Sequence, residues 1–409
     1  MKRFVFLVVS TIMLFTACSS KTAENPKNSE PEVVAVTTKT KSDSELQNLK
    51  FNVNKSYFPL NFNEVKAVWF SYIDLADMLT GKSETQFEIN ISKAFEKVKS
   101  LGCNTVYVHV RPFGDAFYNS GVYPQTRYCD YDALEIMVKS AHSYGLSIHA
   151  WVNPLRCEKE KYIKNYSDEF LIKKWYSDKA YFGKYLVQVE NSEQLWLNPT
   201  YDEVRTMICN GVSEIVRNYN VDGIHIDDYF YPTTEETFDA HAFSASKSVS
   251  VSDFRIENIN LLVSQMYQTV KSENEKVQFG ISPQGNIQNN YSELFADVKK
   301  WASERGYCDY IVPQIYYGFE NPHQPFEKVL QDWNDMTCKD VKLIVGLAYY
   351  KIHEKGEFSE NTGIISRQLE KVLNSENSDG VALYNYKNIF EIKNENSDVE
   401  LALLRGKLQ

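Results

Sequence analysis

Apolar, β-branched runs recur along the chain, spaced so that one amphipathic helix fits between each and the next. The runs are KAVWFSY (66–72), TVYVHVR (105–111), SIHAWVNP (147–154), VDGIHIDDY (221–229), VQFGISPQ (277–284), DYIVPQIYY (309–317), KLIVGLAYY (342–350) and DGVALYNY (379–386). Between the first two, FEINISKAFEKVKSLG (87–102) puts Ile91, Phe95, Val98 and Leu101 on one helical face. Residues 131–145, 204–219, 294–306 and 362–374 repeat that spacing. Gly102, Gly145 and Gly306 each precede a strand, where a left-handed helix cap is expected. Strands alternating with helices in this way predict an α/β protein, a (β/α)8 TIM barrel. A doubly wound open sheet would instead need a Gly-rich phosphate turn after the first strand, and SYIDLADM supplies none. Two insertions interrupt the rhythm, at 155–200 after the third strand and at 230–250 after the fourth. The first carries Trp175, Tyr176, Tyr181, Tyr185 and Trp196, on the loop side where barrel sites are built. At the other end, VELALLRGKL reads as a last helix completing the barrel, with nothing to mark a separate binding module.

The N-terminal pattern is different. MKRFVFLVVSTIMLFTACSS has two basic residues, an apolar stretch and small residues before Cys18, the form of a secretory signal. FTAC (15–18) resembles a bacterial lipoprotein processing box, which makes Cys18 the lipidated first residue; a plain signal peptide is the alternative. The expected organisation is a signal peptide at 1–17, a polar disordered tether at 18–58, and a barrel domain at 59–409. That organisation places the protein in the cell envelope, outside the cytoplasm, on an N-terminal lipid anchor. No second long apolar segment follows, so the body is expected to be soluble.

Composition narrows the partners. A net charge of −10 without a basic stripe argues against nucleic acid. The 27 Tyr and 6 Trp suit a carbohydrate, since both residues pair a flat apolar face with a polar handle. The six cysteines after Cys18 show no CxxC or metal-ligand spacing and are expected to be mostly free thiols.

In such a barrel the C-terminal strand ends face the active site. They offer Ser71 and Tyr72; His109, Arg111 and, beyond, Asp115; His149, Trp151, Asn153 and Arg156; His225, Asp227 and Asp228; Ser282 and Gln284; Gln314, Tyr316 and Tyr317; Tyr349 and Tyr350; Tyr384 and Asn385. If Ile224 and Ile226 face the helices, alternation turns His225, Asp227 and Tyr229 to the axis, with Asp228 starting the loop. Two adjacent carboxylates repel, so one should have a raised pKa, the split that an acid and a base need. The structural alternatives are a loop cap or salt bridge to Arg111 or Arg156 for Asp228, and a buried ion pair for Asp227. His109 reads equally as a buried, hydrogen-bonded core residue. His109, His149 and Asp227 would be the ligands of a metal-dependent alternative; otherwise no metal or cofactor is called for. No GxSxG turn, HExxH or P-loop occurs.

AVWFSYID, VYVHVRPFGDAFYNS, HAWVNPLR, DGIHIDDYFYP, FGISPQGN and DYIVPQIYY, in this order over about residues 60–390, resemble the glycosyl hydrolase-like 10 family of bacterial envelope lipoproteins. The family includes an enzyme that cleaves peptidoglycan glycan strands stripped of their stem peptides, so the resemblance implies that substrate class. Its motifs match at Arg111 and Asp115, at Trp151, Asn153 and Arg156, and at Asp227 and Asp228. The fourth strand is also similar to the DGxRxD of α-amylases, with Asp227 in the nucleophile's place. It is less like the DGxDxDxE of family 18 chitinases, which argues against that substrate-assisted scheme. No Glu ends the seventh strand, so the two-Glu retaining pair is absent.

The expectation is therefore a membrane-anchored glycoside hydrolase acting on an envelope polysaccharide, with Asp227 as principal catalytic carboxylate and Asp228 as its partner. Adjacent residues seldom reach the carboxylate separation of ~5–9 Å that glycosidases use, so Asp115 stands as the reserve. Substrate binding is assigned to His109, Arg111, Trp151 (a stacking platform), Asn153, Arg156, His225, Tyr229, Gln284, Gln314, Tyr316, Tyr317 and Tyr350. The alternatives are a non-catalytic glycan-binding lipoprotein and a metal-dependent polysaccharide hydrolase or deacetylase.

Overall fold

The computed structural model describes residues 57–409. The signal segment, Cys18 and nearly all of the 18–58 tether lie outside the described residues. In chain order the strands are β1 (Val65–Phe70), β2 (Thr105–Arg111), β3 (Ser147–Val152), β4 (Arg156–Lys159), β5 (Leu186–Gln188), β6 (Gln194–Leu197), β7 (Gly223–Ile226), β8 (Gln278–Ile281), β9 (Tyr310–Ile311), β10 (Lys342–Leu347) and β11 (Ser378–Leu383). Eight of them close into a parallel barrel, ordered β1-β11-β10-β9-β8-β7-β3-β2, so the expected (β/α)8 fold is the observed one. The other three form an antiparallel sheet, ordered β4-β6-β5, inside the 155–200 insertion.

Each barrel strand falls within or beside its expected run, but several stop early. β9 keeps two residues because Pro313 has no N–H for the ladder. Helices over Glu84–Leu101, Ala133–Ser143, Asp202–Asn218, Val298–Ser303 and Ile364–Leu373 occupy the expected segments. Tyr72–Leu79, Val251–Glu273 and Phe326–Met336 are further helices that the apolar spacing did not single out. Gly102 caps its helix at φ 103°, a left-handed conformation, and its missing side chain leaves room for the Leu408 backbone. Leu408 ends the C-terminal helix Ser397–Leu408, whose last carbonyl accepts from Lys66 Nζ at 2.9 Å. That helix packs against both Glu84–Leu101 and Ile364–Leu373 in the outer ring. Among the described residues no helix is long and apolar enough to cross a membrane.

Strand alternation divides the core. Val68, Phe70, Val106, Val108, Ile148, Ala150, Ile224 and Ile226 belong to the large cluster, with the residues of the surrounding helices. Trp69, Tyr107, Trp151, Tyr310, Val312, Ile344 and Ala382 form a second, aromatic cluster. Space for these rings comes from glycine: a Cβ on Gly280 would stand 1.9 Å from the Tyr310 ring, and one on Gly223 would stand 2.3 Å from His149.

The inner cluster is also polar, and its hydrogen bonds form one chain. Trp69 Nε1 donates to His225 Nε2 at 3.0 Å, and an indole nitrogen can only donate. His225 Nε2 is therefore the acceptor, and its Nδ1 carries the proton shared with the Tyr310 hydroxyl at 3.1 Å. Tyr310 then donates to His149 Nδ1 at 2.7 Å, leaving His149 Nε2 to donate to Ser147 Oγ at 3.1 Å. The chain requires both imidazoles to be neutral. Burial supplies that condition, lowering His149 to about 4 and His225 well below the usual histidine value.

Gly280→Ala is expected to destabilise the barrel by about 1–3 kcal/mol, because Tyr310 must move and its two histidine bonds go with it. Urea unfolding monitored by fluorescence would read the loss; an unchanged midpoint would show that Tyr310 is not locked in place.

Candidate active site

β7 ends at Ile226 and delivers Asp227 and Asp228 to the barrel mouth. Asp227 is 3% exposed, and its Oδ1 accepts from the Tyr229 amide at 3.3 Å, which turns the chain away from the strand. Burial pushes the Asp227 pKa well above the usual carboxylate value, and the neighbouring Asp228 charge pushes it further. The Tyr229 amide, Arg156 and the nearby Trp151 indole oppose that shift. Asp228 is raised as well, by burial, but hydrogen bonds from Gln284 and Gln314 favour its charged form. Two carboxyl groups this close do not ionise together in so dry a place. Of the two, Asp227 is pushed further toward its protonated form, while the Gln284 and Gln314 amides oppose the rise at Asp228.

The loop after the pair is fixed by a buried clamp. Arg255 and Asp239 are fully buried partners at 2.8 Å, and the same guanidinium donates to the carbonyls of Thr234 at 3.1 Å and Glu235 at 2.7 Å. One wall of the mouth comes from the insertion sheet. Arg156 on β4 lies between two rings, 4.7 Å from the Phe113 centroid and 4.4 Å from that of Tyr229. Trp196 on β6 stands 6.2 Å from Tyr229. The opposite wall is a group of phenols: Tyr316, Tyr350 and Tyr384, with centroids 5.9–6.1 Å apart.

The structure thus gathers Asp227, Asp228, Arg156, Gln284, Gln314, Tyr316 and Tyr350 around one opening. Other expected site residues stand elsewhere, for identifiable reasons. The β2–β3 register shifts between His109 and Arg111, so alternation fails at Arg111. Arg111 is fully buried, 4.3 Å from the Tyr123 centroid, and donates to the Asn153 carbonyl. Asn153, also fully buried, bonds Trp151 Nε1 and the Pro112 carbonyl. Both side chains are buried, although Arg111 Nε and Nη2 have no hydrogen-bond acceptor. Trp151 is no open stacking platform, because His109 lies flat on it at 3.8 Å. His109, held neutral by burial and then by Arg156, is the buried core residue of the two readings. His225 belongs to the axial chain, and Tyr317 faces back over Gly285, with its carbonyl accepting from Gln368. Tyr229 does not face the axis: the strand has ended, and the residue lies on the rim, 37% exposed. Ser71 caps the helix Tyr72–Leu79, Tyr349 donates to the Ser397 carbonyl, and Asn385 donates to Asp74.

Asp115 is not among the groups that shift Asp227 or Asp228. It is 2% exposed, and its contacts run to Phe113, Thr126, Arg127 and Glu158. His149 does not stand beside Asp227 as the metal alternative requires, since it pairs with Gly223, four positions before Asp227, and both its ring nitrogens are occupied. Among the described residues no group of three or more His, Cys, Asp or Glu is placed to hold a metal ion.

Sequence reading missed the Arg127–Glu158 ion pair, in which a buried carboxylate near Asp115 meets an exposed guanidinium. The signal was available, because Glu158 stands two positions after Arg156 and so shares its strand face. Phe113 and Trp196 were also passed over as mouth residues.

The glycosyl hydrolase-like 10 family matches this chain over residues 64–362. The sequence is 32% identical over 329 residues to glycosyl hydrolase YngK of Bacillus subtilis, covering 71% of this chain and 61% of YngK, under two thirds of the relative's length. It is 29% identical over 310 residues to glycosyl hydrolase DigH of Escherichia coli K12, covering 67% of this chain and 68% of DigH. The fold resembles the PgaB (BpsB) glycoside hydrolase domain of Bordetella bronchiseptica, with a TM-score of 0.58, 11% identity and coverage of 83% and 99%. It also resembles the catalytic domain of a Paenibacillus polymyxa β-amylase, with a TM-score of 0.56, 10% identity and coverage of 85% and 99%.

A buried carboxyl with a raised pKa costs folding free energy once the unfolded chain can ionise freely. Wild type is therefore most favoured below the unfolded carboxylate range, and it loses that advantage as pH rises through the folded pKa of Asp227. Asp227→Asn has no such cost. Its melting temperature is expected to match wild type near pH 4 and to exceed it at pH 7 by about 1–3 °C. A gap that shrinks as pH rises would contradict the assignment of the proton.

Proposed function

The chain belongs to the glycosyl hydrolase-like 10 family, and from that premise we propose that it hydrolyses glycosidic bonds in a cell-envelope polysaccharide, namely peptidoglycan glycan strands without stem peptides. The observation that carries this reading is the buried carboxyl pair at the end of β7, with Asp227 pushed further toward its protonated form than Asp228, whose rise the Gln284 and Gln314 amides oppose. Asp227 donates its proton to the leaving glycosidic oxygen. Asp228, held by Gln284 and Gln314, stabilises positive charge developing on the sugar ring. Both carboxyls come from one strand end, so the attacking oxygen is a water that enters from the other side of the ring, releases its proton to bulk water, and leaves Asp227 to be reprotonated from solvent for the next turnover. Tyr316 and Tyr350 supply stacking faces for the flanking sugars.

The same proposal tethers the barrel to a membrane through Cys18, on the strength of the basic start, apolar stretch and FTAC box at the N-terminus. A short polar tether then lets the mouth reach glycan beside the bilayer.

The test is product release from glycan strands with and without stem peptides, by wild type and by Asp227→Asn, each with and without EDTA. Wild type is expected to cut the stripped strands whether or not chelator is present, with Asp227→Asn slower by roughly 10²–10⁴-fold. Equal silence from both proteins would favour a glycan-binding role, and loss of activity with EDTA would favour a metal enzyme.

Asp228→Asn provides a pH readout. The charge of Asp228 raises the Asp227 pKa, so its removal lowers that pKa. The alkaline limb of the residual activity, where Asp227 loses its proton, is expected to move to lower pH. A limb that stays in place would separate the two residues electrostatically.

A further inference from the structure

Two buried hydrogen-bond donors at the mouth have no acceptor: Arg156 Nε and Trp196 Nε1. They are not scattered. Arg156 on β4 and Trp196 on β6 are direct partners in the antiparallel insertion sheet, so their side chains rise from the same face a few ångströms apart. Tyr229 adjoins both, 4.4 Å from the guanidinium and 6.2 Å from the indole. We infer that the Arg156–Trp196 pair binds a carboxylate carried by the glycan beside the scissile bond, so that this mouth selects an acidic sugar.

The chemistry of the pair restricts its ligand. An indole N–H and a guanidinium donate and never accept, so only an acceptor satisfies them. Phe113 and Tyr229 lie over the guanidinium, which leaves its edge as the approach. Edge-on binding by a planar fork is how arginine holds a carboxylate. A neutral hydroxyl would satisfy one donor and leave the cation without a counter-charge. Asp227 and Asp228 act on the cation from beyond ion-pair distance, and its side-chain bond is to Gln194 Oε1 at 3.4 Å. Arg127, the other arginine near Phe113, is already paired with Glu158. The protein carries a net charge of −10, so an acidic glycan needs a local cation to approach Asp228 at all.

This inference rests on the reading that the mouth binds glycan, and binding can be measured apart from cleavage. Wild type, Arg156→Ala, Arg156→Lys and Trp196→Phe would be titrated by calorimetry with four oligosaccharides of matched length. These are stripped glycan strands with free lactyl carboxylates, the same strands with those carboxylates amidated, oligouronates, and neutral N-acetylglucosamine oligomers. Product release would be followed separately, and near-UV circular dichroism would check folding. Wild type is expected to bind the acidic strands about 10–100-fold more tightly than their amidated twins. Arg156→Ala should erase that difference; Arg156→Lys, which keeps the charge without the fork, and Trp196→Phe should narrow it. Preference for lactyl strands over oligouronates, or the reverse, identifies which sugar carries the carboxylate. Affinities within threefold for acidic and amidated strands would overturn the inference, as would no binding to any acidic glycan. Selective binding without product would keep it and overturn hydrolysis; equal cleavage of both strands at equal affinity would do the opposite.

Discussion

Desolvation at the end of one strand is the constraint on which the mouth depends. A carboxylate in water costs nothing to keep, but Asp227 is almost sealed, with Asp228 next to it in the chain. Either residue alone would be a buried polar group in search of partners. Together they become unequal, because whichever ionises first raises the cost for the other. The surrounding structure decides the order. Amides from β8 and beyond β9 converge on Asp228, while Asp227 receives one backbone amide and has an indole nearby. The β7–β8–β9 order of the barrel is what brings these glutamines to that carboxylate.

The floor under the pair explains why it stays dry. The inner cluster is aromatic yet carries a hydrogen-bond chain from Trp69 to Ser147 that uses both nitrogens of both histidines. A network satisfied in this way needs no water and admits no extra proton. It gives the barrel its base, which Trp151 meets edge-on at His225 while His109 stacks on the Trp151 ring. Histidines that look like metal ligands or sugar contacts in the sequence are spent on this construction. Their neutrality leaves the charges of the site to the aspartate pair and Arg156.

The fold was largely legible, because strand and helix periods differ and the chain alternates between them regularly. The aspartate pair was legible for the same reason: charges at the end of an apolar run in a barrel have few structural uses. What alternation could not reveal was where it stops. The shift after His109 turned Arg111 under the loop, and the early end of β7 put Tyr229 on the rim. Asp115 was misplaced for a different reason. Its neighbours Glu158 and Arg127 come from distant loops, and no local pattern ties them together. The insertion looked like an aromatic-rich loop, yet it is a small sheet whose pairing brings Arg156 opposite Trp196. Cross-strand registers of that kind are set by tertiary packing and are invisible in a single sequence.

Removing Asp115 from the site has a chemical consequence. Glycosidases of the common kind place two carboxyl groups on opposite sides of the sugar. On the proposed reading, both carboxyls, one residue apart at the same strand end, meet the substrate from one side. Asp227 then protonates the leaving oxygen, and Asp228 sits close to the ring carbon that loses it. Neither can also attack from the far side. The barrel therefore has to leave that side open to water, and the walls fit this demand. Phenols stand on one flank and the Arg156–Trp196 edge on the other, with no third carboxylate between them among the described residues. A site built this way depends on holding the glycan in one orientation more than on a strong nucleophile, which is why its unpaired donors matter as much as its acids.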